Sequence, residues 1–115
     1  MNTAQFSISG VSSKRQESAR AWLEFLDLPS LSMGMYHVPV GTNDKDTHSP
    51  HDRDEVYLGV SGNGQLTAGG EVHGVHAGVI IYVKAGIEHH FHDVTDDLTL
   101  LVFFSGRTET TNESQ

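Results

Sequence analysis

Residues 55–83, EVYLGVSGNGQLTAGGEVHGVHAGVIIYV, decide the fold class. Their apolar residues come in short runs cut by Gly and Asn, and show none of the 3.6-residue recurrence of a helix. The runs predict strands over 55–60, 65–68, 72–75 and 79–83, and the same pattern continues outward to 33–40, 89–93 and 98–104. Reversals are expected at Ser61-Gly62-Asn63-Gly64, Ala68-Gly69-Gly70-Glu71, Ala77-Gly78 and Thr95-Asp96-Asp97, because Gly and Asn tolerate the positive φ of tight hairpins. Seven such runs, with an eighth around residues 6–8, leave no space for crossover helices. An all-β chain with antiparallel connections follows, closed as a small sandwich or barrel.

Upstream of the strands, Ser13-Lys14-Arg15-Gln16 has capping-box spacing, and Ala19, Trp22, Leu23 and Leu26 follow at helical intervals up to Pro29. One short N-terminal helix over about 14–27 is therefore expected, packed as a lid on the sheet. The runs 79–83 and 98–104 are apolar on both faces, which suits strands covered by that helix or by a second protomer, so a homodimer is expected. The end, SGRTETTNESQ over 105–115, has no large apolar residue and reads as a flexible tail behind a single domain spanning 1–104, with its core over about 31–104.

The chain has 115 residues, 7 of them Lys or Arg and 15 Asp or Glu, giving a net charge of −8. That balance repels phosphate backbones and anionic headgroups, so neither nucleic acid nor membrane is an expected partner. No cysteine is present, which excludes thiolate nucleophiles, disulfides and thiolate metal sites. A basic leader and a long apolar run are both absent, so a cytoplasmic location is expected. Histidine is the anomaly: eight copies gather between His37 and His92.

In His48-Ser49-Pro50-His51-Asp52-Arg53-Asp54-Glu55, His51 and Glu55 are four apart, so an extended chain presents both on one face. Imidazole and carboxylate suit divalent iron, manganese, nickel, cobalt or zinc. His89 follows 34 residues after Glu55, just behind the Gly86 turn, and can close the site. His48, three residues before His51, joins it if Pro50 kinks or bulges the chain.

These residues resemble the cupin superfamily of small double-stranded β-helix proteins. Gly41, His48, His51, Glu55 and Gly62 follow its first motif, with the six-residue Glu-to-Gly spacing intact and His-x-x-His in place of His-x-His. Gly78, Gly86 and His89 follow the second, with Lys84 at its usual Pro position. Asp54-Glu55-Val56-Tyr57, Phe91-His92-Asp93 and Asp97-Leu98 look like a branch of small single-domain cupins in which the position of His48 is often Gln. The resemblance spans about residues 33–104 and implies a jelly-roll barrel. It also implies one divalent transition metal per chain, on His48, His51, Glu55 and His89, with two positions left for water, dioxygen or a chelating substrate.

Among the remaining candidates, Met35 and His37 are expected on a strand face lining the cavity, with His37 as a substrate contact or acid–base group. Tyr57 and Phe91 lie two residues beyond Glu55 and His89 and are expected to shape an apolar pocket beside the metal. His73, His76, His90 and His92 are expected at turns or facing away. The activity implied is that of a metal-dependent enzyme on a small organic molecule chelating through an enolate, diol or keto oxygen. It is of dioxygenase or isomerase type, with Glu55 as ligand and proton acceptor. A non-catalytic small-molecule-binding or sensing module is the alternative.

Overall fold

The computed structural model describes residues 2–42 and 52–106. One helix, α1 (Ile8–Ser18), precedes six strands: β1 (Trp22–Leu28), β2 (Leu31–Val38), β3 (Glu55–Ala68), β4 (Glu71–His76), β5 (Ile80–Val83) and β6 (His89–Ser105). All pairings are antiparallel, in the order β1-β2-β6-β3-β4, and β5 joins the N-terminal half of β3.

The long strands β3 and β6 make the barrel. Were β3 straight, its 14 residues would extend roughly 45 Å at about 3.3 Å per residue. Yet Glu55 at its start and His89, paired with Ala68 at its end, bring side-chain atoms within 3.5 Å. The chain turns back on itself through register shifts between Gly59 and Gln65. At the corner Gly62 has φ +93°, and a Cβ there would lie 2.0 Å from the Asp97 carbonyl oxygen, so only glycine fits. Two faces result. One joins β1, β2, the C-terminal half of β6, the N-terminal half of β3 and β5; the other joins the remaining halves of β6 and β3 to β4.

Between them lies one core, to which Val38, Tyr57, Leu100 and Val102 contribute from the first face and Leu66, Val75 and Phe91 from the second. Each such fully buried apolar side chain stabilises the fold by roughly 1.5–3 kcal/mol.

Three expectations are corrected. The helix lies earlier than 14–27: Ser7 is its N-cap, accepting from the Gly10 amide at 3.0 Å, which also removes the strand expected around residues 6–8. The segment carrying Trp22, Leu23 and Leu26 is strand β1, because pairing with β2 satisfies its backbone and puts Trp22 and Glu24 on one face and Leu23 on the other. Pro29 sits in the β1–β2 turn. Residues 61–64 and 95–97 are not hairpin reversals but the bulged corner inside β3 and β6; the positive φ that glycine supplies serves a bend as readily as a turn. The reversals at 69–70 and 77–78 are where expected, with Gly69, Gly70 and Gly78 all at positive φ.

The helix packs on β1 and β2 and leaves β5 open, so Ile80 is 70% exposed and Tyr82 59%. Ser105, assigned above to the tail, is the last residue of β6, held by its amide to the Asp54 carbonyl at 3.0 Å. Of that tail, residues 107–115 lie outside the described residues. No helix among the described residues is long and apolar enough to cross a membrane.

Candidate metal centre and its cleft

Glu55 opens β3 and His89 opens β6, and the folded-over sheet presses these two ends together. Both are buried, at 2% and 1% exposure, and His89 Nε2 stands 3.5 Å from Glu55 Oε2. The orientation of each is fixed from behind. His89 Nδ1 lies 2.9 Å from the Ile87 carbonyl oxygen, which can only accept, so Nδ1 carries a proton and Nε2 is the ring atom turned toward Glu55. Tyr57 Oη donates to Glu55 Oε1 at 2.9 Å. Burial, then the charge of Glu55, pushes the Tyr57 phenol far above its ordinary range, so it remains a donor at neutral pH.

The second-motif turn is tied to the first motif through Asp54. Its Oδ1 accepts from the Ala85 amide at 2.8 Å, and Ile87 N donates to Lys84 O at 3.2 Å to close the turn around Gly86, which has φ +85°. Lys84 replaces proline without loss of this turn, because the positive φ resides at Gly86.

Beside Glu55 opens a cleft of about 320 Å³ bordered by Trp22, Tyr36, Phe104, Val102, Arg53 and Glu24, with Glu55 and Tyr57 in its wall. Trp22 lies edge-on to Tyr36 and to Phe104, with ring centroids 6.4 and 5.9 Å apart. Arg53 is tethered by Nε to the Ser105 carbonyl at 2.7 Å and by Nη2 to Ser32 Oγ at 2.9 Å, and its guanidinium lies 5.3 Å from the centre of the Phe104 ring. Ser32 in turn donates to Asp27 Oδ1 at 3.0 Å.

Of the residues singled out from sequence, Glu55 and His89 are brought together, and Tyr57 joins them. Phe91 lies beneath, 1% exposed, with its ring 5.4 Å from Tyr57 and 5.9 Å from Tyr36. Met35 and His37 alternate with Tyr36 on β2 and so face away from the cleft. Met35 is wholly buried opposite Leu101, and His37 Nε2 stands 4.0 Å from Asp97 Oδ2. Their expected place along the cleft is taken by Trp22, Glu24 and Tyr36. The helical reading of 14–27 hid the first two, and a one-residue difference in face hid the third.

His48 and His51 lie outside the described residues. His73 stands 3.7 Å from Glu71, His76 contacts its own turn, and His92 is held between Thr67 and Asp93 on the second face. Arg53 was missed as a site residue; its signal was its place two residues before Glu55, which returns it to the same face of an extended chain.

The donor chemistry of Glu55 and His89 fits a divalent transition ion. An imidazole nitrogen and a carboxylate oxygen, both buried and both fixed from behind, converge on one point, the arrangement that a cation or a shared proton resolves. Among the described residues no group of three or more His, Asp or Glu is placed to hold a metal.

An antiparallel barrel, folded from one pair of long bulged strands and carrying a buried His–Glu pair beside an open cleft, defines the class: a small double-stranded β-barrel. The chain belongs to the cupin domain family, whose model matches residues 34–105. An uncharacterized protein of Streptomyces coelicolor is 39% identical over 100 residues, covering 87% of this chain and 93% of that protein. A cupin protein from Bacteroides fragilis has the same fold, at a TM-score of 0.67 and 21% identity, over 100% of this chain and 98% of that one. The structure of Fe(II)-HppE with the alternative substrate (S)-1-HPP matches at a TM-score of 0.63 and 16% identity, over 72% of this chain and 48% of that one.

Proposed function

We propose that this chain is a metal-dependent cupin enzyme acting on a small organic substrate that chelates the ion through an enolate, diol or keto oxygen, by dioxygenase or isomerase-type chemistry. The observation that carries the reading is the buried pair, His89 Nε2 and Glu55 Oε2 at 3.5 Å, whose Glu55 lines a cleft large enough for a small molecule. His48, His51, Glu55 and His89 would hold the ion, which when bound supplies Lewis acidity toward a substrate oxygen. A neighbour by fold that was solved with Fe(II) and a substrate supports the choice of a transition metal.

The chain's own groups divide the remaining work. Ile87 holds His89 by Nδ1, so that Nε2 is the nitrogen left to face the ion. Tyr57 holds Glu55 Oε1 and leaves Oε2 to face the reacting centre, where Glu55 also takes up the proton released from substrate carbon or hydroxyl. Trp22, Tyr36 and Phe104 exclude water from the bound molecule.

Elemental analysis of tag-free protein as isolated tests the metal, with about one transition ion per chain expected and its absence refuting the reading. Oxygen uptake with catechols, flavonols and β-diketones then tests the oxygenase form, and deuterium wash-in next to a carbonyl tests the isomerase form. Binding without either would make the chain a metal-containing binding module.

A further inference from the structure

We infer that Arg53 is a specificity-determining residue of the cleft and that the molecule bound there carries a carboxylate, seated on the guanidinium. The inference rests on the function proposed above for the location of the chemistry and adds the substrate class: a keto or hydroxy acid with a flat apolar body.

Three features of Arg53 carry it. First, its position is fixed. The bonds from Nε to Ser105 and from Nη2 to Ser32, with the contact to Phe104, hold a side chain that would otherwise lose considerable rotamer freedom on binding. Second, these bonds use Nε and one hydrogen of Nη2. Among the described residues the Nη1 hydrogens make no hydrogen bond, so the end-on edge of the fork, Nη1 with Nη2, is the one open to a planar oxyanion, which it can grip through two parallel bonds. Third, among the described residues Arg53 is the one cation bordering the cleft, whose other walls are the aromatic rings of Trp22, Tyr36 and Phe104.

Charge bookkeeping agrees with a local rather than a global attraction. The chain as a whole carries −8, so an anion is not drawn by the overall field. Glu24 is exposed and screened by solvent, and Glu55 is already engaged by Tyr57. An acid entering ring-first between the aromatic walls therefore meets one fixed positive group, and its neighbouring keto or hydroxyl oxygen is left to face Glu55. A tether between Ser32 and Ser105 alone would require a side chain that bonds both, with no place on the cleft wall.

Trp22 is the single tryptophan of the chain and borders the cleft, so its emission reports occupancy directly. The probes are phenylacetate and phenylacetamide, equal in shape and different in charge, titrated against Zn²⁺-loaded and EDTA-treated protein. The wild type should bind the acid about tenfold more tightly than the amide, with the preference weakening as salt is added. Arg53→Gln should bring the ratio close to one while leaving Zn²⁺ stoichiometry unchanged, and Arg53→Lys should retain part of it.

Equal binding of acid and amide by the wild type, or binding of neither, overturns the inference whether or not the variants fold. So does a full acid preference in a folded Arg53→Gln. Zn²⁺ retained without acid preference defeats this inference and leaves the metal reading intact; acid preference without Zn²⁺ does the reverse.

Discussion

Tyr57→Phe removes a single oxygen from the centre of the site. The lost contact is a 2.9 Å bond to Glu55 Oε1, a carboxylate with 2% exposure, so water cannot replace the donor. Hydrogen bonds to charged groups contribute about 1.5–3 kcal/mol. Glu55 keeps other contacts, which places the expected loss near the lower end, about 1.5 kcal/mol. With an unfolding entropy near 2.1 cal/mol/K per residue, a chain of this length should melt about 6 °C lower. The measurement is a thermal melt by circular dichroism in EDTA, so that no metal contributes. A second measurement, Zn²⁺ affinity by competition with a chelator, should show a loss of roughly 10–100-fold, as expected when a partner that orients a ligand is removed. An unchanged Tm together with unchanged Zn²⁺ affinity would refute the claim that Tyr57 holds Glu55 in place.

Glu55→Gln and His89→Ala should each remove most of the bound metal, read by elemental analysis after dialysis, while the β-sheet circular dichroism spectrum persists; full retention in both would defeat the site. Gly62→Ala places a Cβ 2.0 Å from the Asp97 carbonyl at φ +93°, and urea denaturation should show a loss of more than about 2 kcal/mol, with no loss if the corner can relax. Gly34→Ala drives a Cβ to 2.1 Å from Trp22 Cη2, so the indole must swing; a shift in the emission maximum and weaker cleft binding are expected, with only a small change in stability. Arg53→Gln has its own expected outcome, loss of the preference for acid over amide.

Much of the barrel was legible because its signals are local. The short apolar run over 98–104 and the Gly-Gly pair at 69–70 report a strand and a reversal from a few residues each. Trp22-Leu23-Glu24-Phe25-Leu26 was not, since its apolar residues fit both a helical stripe and a strand with two apolar faces, and the choice was made by β2, which offered its backbone a partner. The corner at 61–64 failed for a related reason. Glycine reports that the chain bends but not by how much, and whether a bend reverses a strand or turns a sheet depends on the strand beside it.

By itself the sequence determined the donor types and their spacing: Glu55 on one strand, His89 behind a glycine turn, and no thiolate anywhere. Those are properties of composition and short-range order, which survive without knowledge of neighbours. Only the tertiary structure decided that the first residues of two different strands, Glu55 of β3 and His89 of β6, meet within 3.5 Å, and that Trp22, Tyr36 and Arg53 rather than Met35 and His37 border the cleft. Bulge geometry and strand register set those relations, and because side chains alternate with a period of two, a shift of one residue sends each of them to the opposite face.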